Sequence, residues 1–307
     1  MYDIFGDIHG YADELEQLLI KLGYENKSGY YSHPERKAIF VGDFIDRGPK
    51  IRETLFMVRN MVENDAAMAT MGNHEYNALC YHTNGTDGEP LRKHTPNNIE
   101  QHEATIDQFK EYDDEWKSYL NWFRDLPVFL ELEGIRIVHA CWDRDNIESI
   151  SGELKFTEEF LIELHSEKHY KKSALYNAIH ECLKGREHKI QEGVSFCDDK
   201  GKVRKEMRIK WYRDPRRSNY EDYYMEDIPE LKGKGVDISS LKKDYFYDED
   251  IPVICGHYWF RGNPKIESGN VACVDYSVAK EGKLIAYRWN GEKVLTNDGF
   301  VWVDGKY

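Results

Sequence analysis

No apolar run in the sequence approaches the ~20 residues needed to cross a bilayer, and no basic stretch followed by an apolar one trails Met1. Both absences argue against a membrane-spanning or secreted chain, and the cytoplasm is the expected location. The six cysteines (Cys80, Cys141, Cys182, Cys197, Cys255 and Cys273) include no Cys-x-x-Cys pair. A zinc ribbon and a disulfide scaffold are thereby disfavoured, and reduced thiols are expected. Positive charge is also short, with 42 Lys and Arg against 56 Asp and Glu for a net charge of −14. Broad wrapping of nucleic acid needs the opposite balance, because it rests on cations neutralising phosphates. A basic stretch at 202–217 (KVRKEMRIKWYRDPRR) is the exception, and a solvated strand or loop face accounts for most of it. No internal repeat and no linker rich in Pro, Gly or Ser divides the 307 residues. One domain over 1–307 is expected, with the less regular stretch at about 143–250 as an inserted cap.

What is present begins as α/β. Apolar runs at Tyr2 to Phe5, Lys37 to Val41 and Ala66 to Met71 read as strands. Between them Leu15, Leu18, Leu19 and Leu22 share one helical face that stops at Gly23, and Ile51, Leu55, Val58 and Val62 share another. The polar stretch from Thr83 to Asn98 reads as a long loop. A helix from about Ile99 to Phe123 follows, with Ile106, Phe109, Trp116, Leu120 and Phe123 inward. The period then changes to two. Val128 to Leu132 and Ile135 to His139 predict a hairpin across Gly134. The tail predicts a β-meander: Val253 to Cys255, Val271 to Asp275, Leu284 to Trp289, Val294 to Thr296 and Phe300 to Val303. Within the insertion, helices are expected at Thr157 to Leu164 and Ala174 to Leu183, and a strand at Met207 to Trp211.

Three motifs follow the first three strands: Gly6-Asp7-Ile8-His9-Gly10, Gly42-Asp43-Phe44-Ile45-Asp46-Arg47-Gly48 and Gly72-Asn73-His74-Glu75. In open α/β sheets ligands bind at the carboxyl ends of strands, so loops distant in sequence can converge there. Carboxylate, amide oxygen and imidazole suit hard or borderline divalent ions, and no thiolate is offered. Asp7 and His9, two apart, point to one side and can hold one ion. Asp43 can bridge to a second, which Asn73 and two strand-end histidines, His139 and His257, would complete. Asp and Asn also favour turns, and a single strand-end His is commonly structural. Six such residues in this order favour a metal site.

Taken together, the motifs resemble those of the calcineurin-like metallophosphoesterases, and specifically the protein phosphatase branch with its small bacterial and phage members. Symmetrical diadenosine tetraphosphatases share the signature. The resemblance covers roughly 1–142 and 251–290. It implies an α/β (α+β) fold, a four-layer β-sandwich flanked by helices with metals at one edge. It gives Asp7, His9 and Asp43 to one ion, and Asp43, Asn73, His139 and His257 to another. Arg47 would bind phosphate, His74 held by Asp46 would protonate the leaving oxygen, and Glu75 would orient its loop. The cofactors expected are two divalent ions, manganese first, with iron, zinc, cobalt, nickel or magnesium as alternatives. Such a pair polarises a phosphoryl group and lowers the pKa of a bridging water, so that hydroxide can attack phosphorus in line.

The sequence departs from that pattern at Met71, where protein phosphatases of this type carry an Arg. Arg213, in Trp211-Tyr212-Arg213-Asp214-Pro215, is the candidate replacement. His139 precedes Ala140-Cys141 instead of paired glycines. Cys141 reads as a buried thiol, and His33, His82, His94, His102, His165, His169, His180 and His188 read as solvated. Trp259 and Arg261 either line a substrate pocket or pack its rim. The leading expectation is a phosphatase acting on phosphoserine, phosphothreonine or a small phosphorylated or nucleotide substrate. The rivals are a symmetrical dinucleoside tetraphosphate hydrolase, a nucleic-acid end phosphatase and a non-catalytic module that retains metal.

Overall fold

The structure, a computed structural model, describes residues 1–307 except 151, 153, 167–172, 192, 195, 198–200, 202, 244 and 307. His169 and Lys202, both discussed above, lie outside the described residues.

The chain opens with β1 (Tyr2–Phe5), α1 (Ala12–Lys21), β2 (Lys37–Phe40), α2 (Ile51–Glu63) and β3 (Ala67–Ala69). β1 pairs parallel with β2, and β2 with β3. There follow α3 (Asn73–His82), α4 (Pro96–Phe109), α5 (Asp113–Arg124) and the hairpin β4 (Phe129–Leu132) and β5 (Ile135–Val138). The stretch at 143–250 contributes α6 (Arg144–Ile150), α7 (Glu158–His165), α8 (Ala174–Lys184) and the antiparallel pair β6 (Glu187–Lys189) and β7 (Glu206–Arg208). It carries a small core of its own around Ile209, Tyr223 and Leu231. The tail adds β8 (Val253–Cys255), β9 (Val271–Cys273), β10 (Asp275–Tyr276), β11 (Lys283–Trp289) and β12 (Phe300–Asp304).

Two sheets result. One has the order β10-β11-β1-β2-β3, with β12 also pairing β11; the other runs β9-β8-β5-β4. Period-two side-chain alternation decides how they pack. Ile4, Ile39 and Ile285 of the first sheet meet Ile135, Ile137, Ile254 and Ala272 of the second in one buried cluster between them. The opposite faces bear Phe5, Phe40, Val138, Val253 and Cys273, in a cluster that also holds Leu15, Leu18, Leu55 and Val58 of α1 and α2 and Ile179 and Leu183 of α8. The layers are therefore helix, sheet, sheet, helix, as expected.

Three sequence expectations need correction. The helix from Ile99 to Phe123 is two helices. The first begins earlier, because Thr95 caps it by accepting from Asn98 N and Pro96 stands at its first turn. The second restarts behind the acidic run Asp113, Asp114 and Glu115, and Ile106 is exposed instead of inward. Val294 to Thr296 forms no strand, and Val294 is exposed. The tail is also no meander. β8 and β9 lie parallel in the second sheet, and the Val271 to Asp275 run changes sheets after Cys273, so that β10 joins the first. Alternation reports which face a residue occupies, not which sheet receives the strand.

The first sheet is locked by one buried charge. Asp3 is fully buried in β1 and accepts from Arg36 Nε at 2.9 Å and Arg288 Nε at 3.0 Å. Replacing it by Ala would leave two guanidiniums facing a void. Asp3→Ala is expected to cost about 3–5 kcal/mol, the range for breaking a buried pair. Urea unfolding with an unchanged m-value would measure it.

Candidate active site

All the motif residues stand at the carboxyl ends of parallel strands: Asp7 and His9 after β1, Asp43 after β2, Asn73 after β3, His139 after β5 and His257 after β8. The two sheets therefore deliver donors to one edge of the sandwich. Close approach there requires glycine. A Cβ on Gly42, which has φ +99°, would lie 2.3 Å from the amide nitrogen of Gly72, and one on Gly256 would lie 2.2 Å from Asp7 Oδ1. Backbone strain is concentrated at this edge. Of the eight non-glycine residues at positive φ among those described, His9, Asp43, Asp46, His257 and Trp259 are here.

Glu75 ties the loops together. Its carboxylate accepts from the amides of Asp43 (2.8 Å), Phe44 (2.8 Å) and Gly72 (3.0 Å), which fixes the loop after β2 against the start of α3. Burial and the neighbouring Asp43 push its pKa up to about 7.

Two donor sets overlap at Asp43. His9, Asp43 and His74 offer ligand atoms within 4.8 Å of one another, and so do Asp43, His139 and His257. Asp43 Oδ2 is 3.4 Å from His139 Nε2, 3.7 Å from His9 Nε2 and 3.8 Å from His74 Nε2. The tautomers follow from the backbone. His9 Nδ1 lies 2.7 Å from the Ile45 carbonyl and His139 Nδ1 lies 2.8 Å from that of Val41, so each Nδ1 donates and leaves Nε2 bare. His139 Nε2 then faces Asn73 Oδ1 at 3.2 Å as well as Asp43 Oδ2. Lone pairs cannot face one another without a positive charge, so a proton or a metal ion must stand among them. In the proton's version, burial would lower His139, but Asp43 raises it above its ordinary value.

Other groups point the same way. His9 Nε2, Asp43 Oδ2 and both ring nitrogens of His257 are buried without a hydrogen-bond partner. Burial together with Asp275 and Asp43 holds Asp7 well above the carboxylate range, even though the His257 amide donates to it at 3.1 Å. Burial, Arg208 and His139 hold His257 well below the imidazole range. Carboxylates crowded together beside bare imidazoles are costly as they stand and become favourable around a divalent cation. The residues present fit such ions.

His74, at the first turn of α3, is held by Asp46, whose Oδ2 lies 2.6 Å from His74 Nδ1. The ring's Nε2 is thereby directed toward the Asp43 carboxylate. Burial would lower its pKa, but Asp43 and Asp46 outweigh burial and raise it. Arg47 is exposed beside them, its guanidinium carbon 5.4 Å from the centroid of the Trp259 ring.

The family model for calcineurin-like phosphoesterases matches residues 2–258. This chain belongs to that family. It is a metallophosphoesterase, a hydrolase. It is 49% identical over 74 residues to the asymmetrical bis(5'-nucleosyl)-tetraphosphatase PrpE of Halalkalibacterium halodurans, which is 24% of this chain and 30% of that one. It is 33% identical over 139 residues to the protein of the same name from Oceanobacillus iheyensis, 45% of this chain and 54% of that one. The chain thus spans about half or less of those two relatives. Among solved structures, a cold-active protein tyrosine phosphatase superposes at TM-score 0.51 with 18% identity, covering 99% of this chain and 78% of the other, a likeness of fold.

Beside the phosphoesterase site a cleft of about 1170 Å³ runs between the β6–β7 pair and the residues after His257. Trp259 and Arg261 both line it. Its walls carry six basic side chains (Lys189, Arg204, Lys205, Arg208, Arg261 and Lys280) against three acidic ones (Glu187, Glu206 and Glu226), together with Phe196, Tyr258, Trp259 and Phe260. The basic stretch of the sequence therefore forms a cleft wall in part. Arg213 is directed elsewhere, its Nη2 donating to the Glu267 carbonyl at 2.6 Å, and the guanidinium acting on His257 is that of Arg208. Arg208 was not singled out from the sequence because nothing adjacent to it is motif-like.

Three more buried residues escaped the sequence reading. Asp275, at the point where the chain changes sheets, accepts from Trp259 N at 2.7 Å and Ser277 N at 3.0 Å. It shapes the loop that carries Trp259. His102, expected in solvent, is buried against Asp46, and His188 is buried against Tyr224 and Ser240. Among the described residues, no helix is long and apolar enough to cross a membrane.

Proposed function

We propose that this chain is a cytoplasmic two-metal hydrolase whose substrate is a small polyphosphorylated molecule such as a dinucleoside polyphosphate, bound with the cleavable phosphate at Asp43 and the remainder along the basic cleft. Asp7, His9 and Asp43 would hold one divalent ion and Asp43, Asn73, His139 and His257 the other, manganese being the first to test. Bound there, the ions would polarise the phosphoryl group and lower the pKa of a water. The protein's own residues do the rest. Arg47 binds the phosphate oxygens. Asp46 fixes the tautomer of His74, and His74 Nε2 gives its proton to the departing oxygen. The stretch at 143–250 serves as the cap that selects the substrate.

The cleft carries this reading. Six cations with a row of aromatic rings suit a phosphate chain ending in a base: guanidinium and ammonium groups meet phosphates, and an indole offers a stacking face. The names of the curated relatives support the same substrate class. A phosphoserine side chain needs only one phosphate site and leaves most of these cations unused, so the protein-phosphatase expectation becomes the second choice.

The test compares kcat/KM, with manganese, on diadenosine tetraphosphate, a phosphoserine peptide and p-nitrophenyl phosphate. The dinucleotide is expected to lead the peptide by about 10²-fold or more, the worth of two additional charged contacts. A faster peptide would overturn the choice of substrate. Products identify the bond cut, since two ADP mean symmetrical cleavage and AMP with ATP means asymmetrical. Arg208→Met is expected to raise KM for the dinucleotide by about 10-fold while leaving KM for p-nitrophenyl phosphate nearly unchanged. Equal effects on both would remove Arg208 from the polyphosphate path.

A further inference from the structure

α4 contains none of the family motifs, yet it places two side chains directly against Asp46. Oδ1 of Asp46, the oxygen not engaged by His74, is 2.6 Å from His102 Nδ1 and accepts from Thr105 Oγ1 at 2.7 Å. The Asp46 amide returns a hydrogen bond to the same Thr105 hydroxyl at 3.1 Å. The His102 ring is held among aromatic neighbours, its centroid 5.0 Å from that of Tyr81, 5.3 Å from that of His82 and 5.8 Å from that of Trp116. Asp46, His102 and Thr105 are all buried.

An ionised carboxylate can only accept, so Nδ1 of His74 and Nδ1 of His102 must each carry a hydrogen. The two rings divide the carboxylate between them, one to each oxygen. A carboxylate bonded to His74 alone could turn about its Cβ–Cγ bond and let the ring swing. With Oδ1 occupied by two donors and the backbone of Asp46 tied to Thr105, only one orientation is left. Asp46 also has φ +83°, a conformation an L-residue holds only when its surroundings enforce it.

We propose that His102, assisted by Thr105, is a positioning residue that locks Asp46 and through it sets the imidazole of His74 for proton transfer to the leaving oxygen. This rests on the reading of His74 as the proton donor given above. A supporting hydrogen bond of this kind is worth about 10- to 100-fold in activity. That loss should depend on the leaving group, because a stable anion departs without a proton and a basic one does not.

The experiment uses the full-length protein with manganese and the variants His102→Leu, His102→Asn and Thr105→Val. For His102→Leu, kcat on phenyl phosphate is expected to fall about 10- to 100-fold, with a much smaller loss on p-nitrophenyl phosphate and with KM and manganese uptake unchanged. His102→Asn, whose amide N–H can stand in for Nδ1–H, is expected to recover most of the activity. Should His102→Leu fail to fold, Thr105→Val is expected to give the same leaving-group dependence at smaller size. Equal losses on both substrates, or no loss, overturn the proposal. A second readout is independent of turnover. Strongly hydrogen-bonded imidazole N–H protons resonate far downfield, and removing the His102 donor is expected to shift the His74 signal. A His74 signal identical to wild type overturns the positioning claim even if neither ester is hydrolysed, an outcome that by itself defeats only the functional reading.

Discussion

Asp43→Asn is expected to lower turnover of every phosphate substrate by about 10³-fold or more, and to abolish tight manganese uptake at both positions together. One carboxylate stands in both donor sets, so its loss cannot be confined to one ion. The lower bound corresponds to removing one preorganised electrostatic contact with the transition state. Loss of the metals' own contribution adds to it. Equilibrium dialysis separates this outcome from a simple folding defect. Wild type is expected to bind two equivalents and the variant none, with the two proteins alike in far-UV circular dichroism. A variant that retains one tightly held ion would show that the two donor sets are independent, and the shared role of Asp43 would fail; a wild type that binds fewer than two equivalents would overturn the two-ion reading.

The same residue organises the charge around it. Burial would raise Asp43, but His139, His74 and His9 outweigh burial and hold it well below the carboxylate range. In return it raises His74 and His139. Glu75, pushed up to about 7 by burial and by Asp43, shows how these charges act on stability. Its folded-state pKa lies above the ordinary glutamate value, so its stabilising contribution is complete below that ordinary value and is lost as pH rises through about 7. Without metal, crowding among these carboxylates therefore opposes the fold at alkaline pH. Divalent ions offset that repulsion, which couples metal binding to folding.

Asp7, His9, Asp43, Asn73, His139 and His257 were legible in the sequence for a local reason. Each lies one to four residues beyond a strand end, most of them next to a glycine, so a strand prediction also locates the side chain. His102 and Asp275 were not legible, because what brings them to the site is tertiary. His102 arrives with α4, whose register is set by the Thr95 cap and Pro96, and nothing in the sequence near it mentions Asp46. Asp275 arrives because the chain passes from one sheet to the other beside it. Arg208 belongs to a short strand whose partner, β6, follows directly after α8 and is held by contacts distant in sequence, His188 meeting Tyr224 and Ser240. The layered sandwich was legible from alternation and helical periodicity, whereas the pairing order of the tail depended on long-range contacts that periodicity does not encode.

His74→Asn is expected to reduce kcat by about 10²- to 10³-fold on esters with basic leaving groups, within the range for loss of a general acid. Manganese binding should change little, although geometry alone groups His74 with His9 and Asp43 as a possible ligand. The competing roles make different predictions. A ligand would take metal with it when removed, and the loss would fall equally on all esters. A proton donor leaves metal in place, and the loss shrinks as the leaving group becomes less basic. The pH profile gives a third discriminant. A proton donor must be protonated to act, and Asp43 and Asp46, outweighing burial, hold the His74 proton more tightly than usual. Activity is therefore expected to persist above the ordinary imidazole range and then to fall along an alkaline limb that belongs to His74. That limb should vanish in His74→Asn. In Asp46→Asn it should move to lower pH, since one of the two carboxylates that raise His74 has been removed. An alkaline limb that survives His74→Asn unchanged would assign it to another group, and the proton donor would have to be sought among the remaining residues of the site.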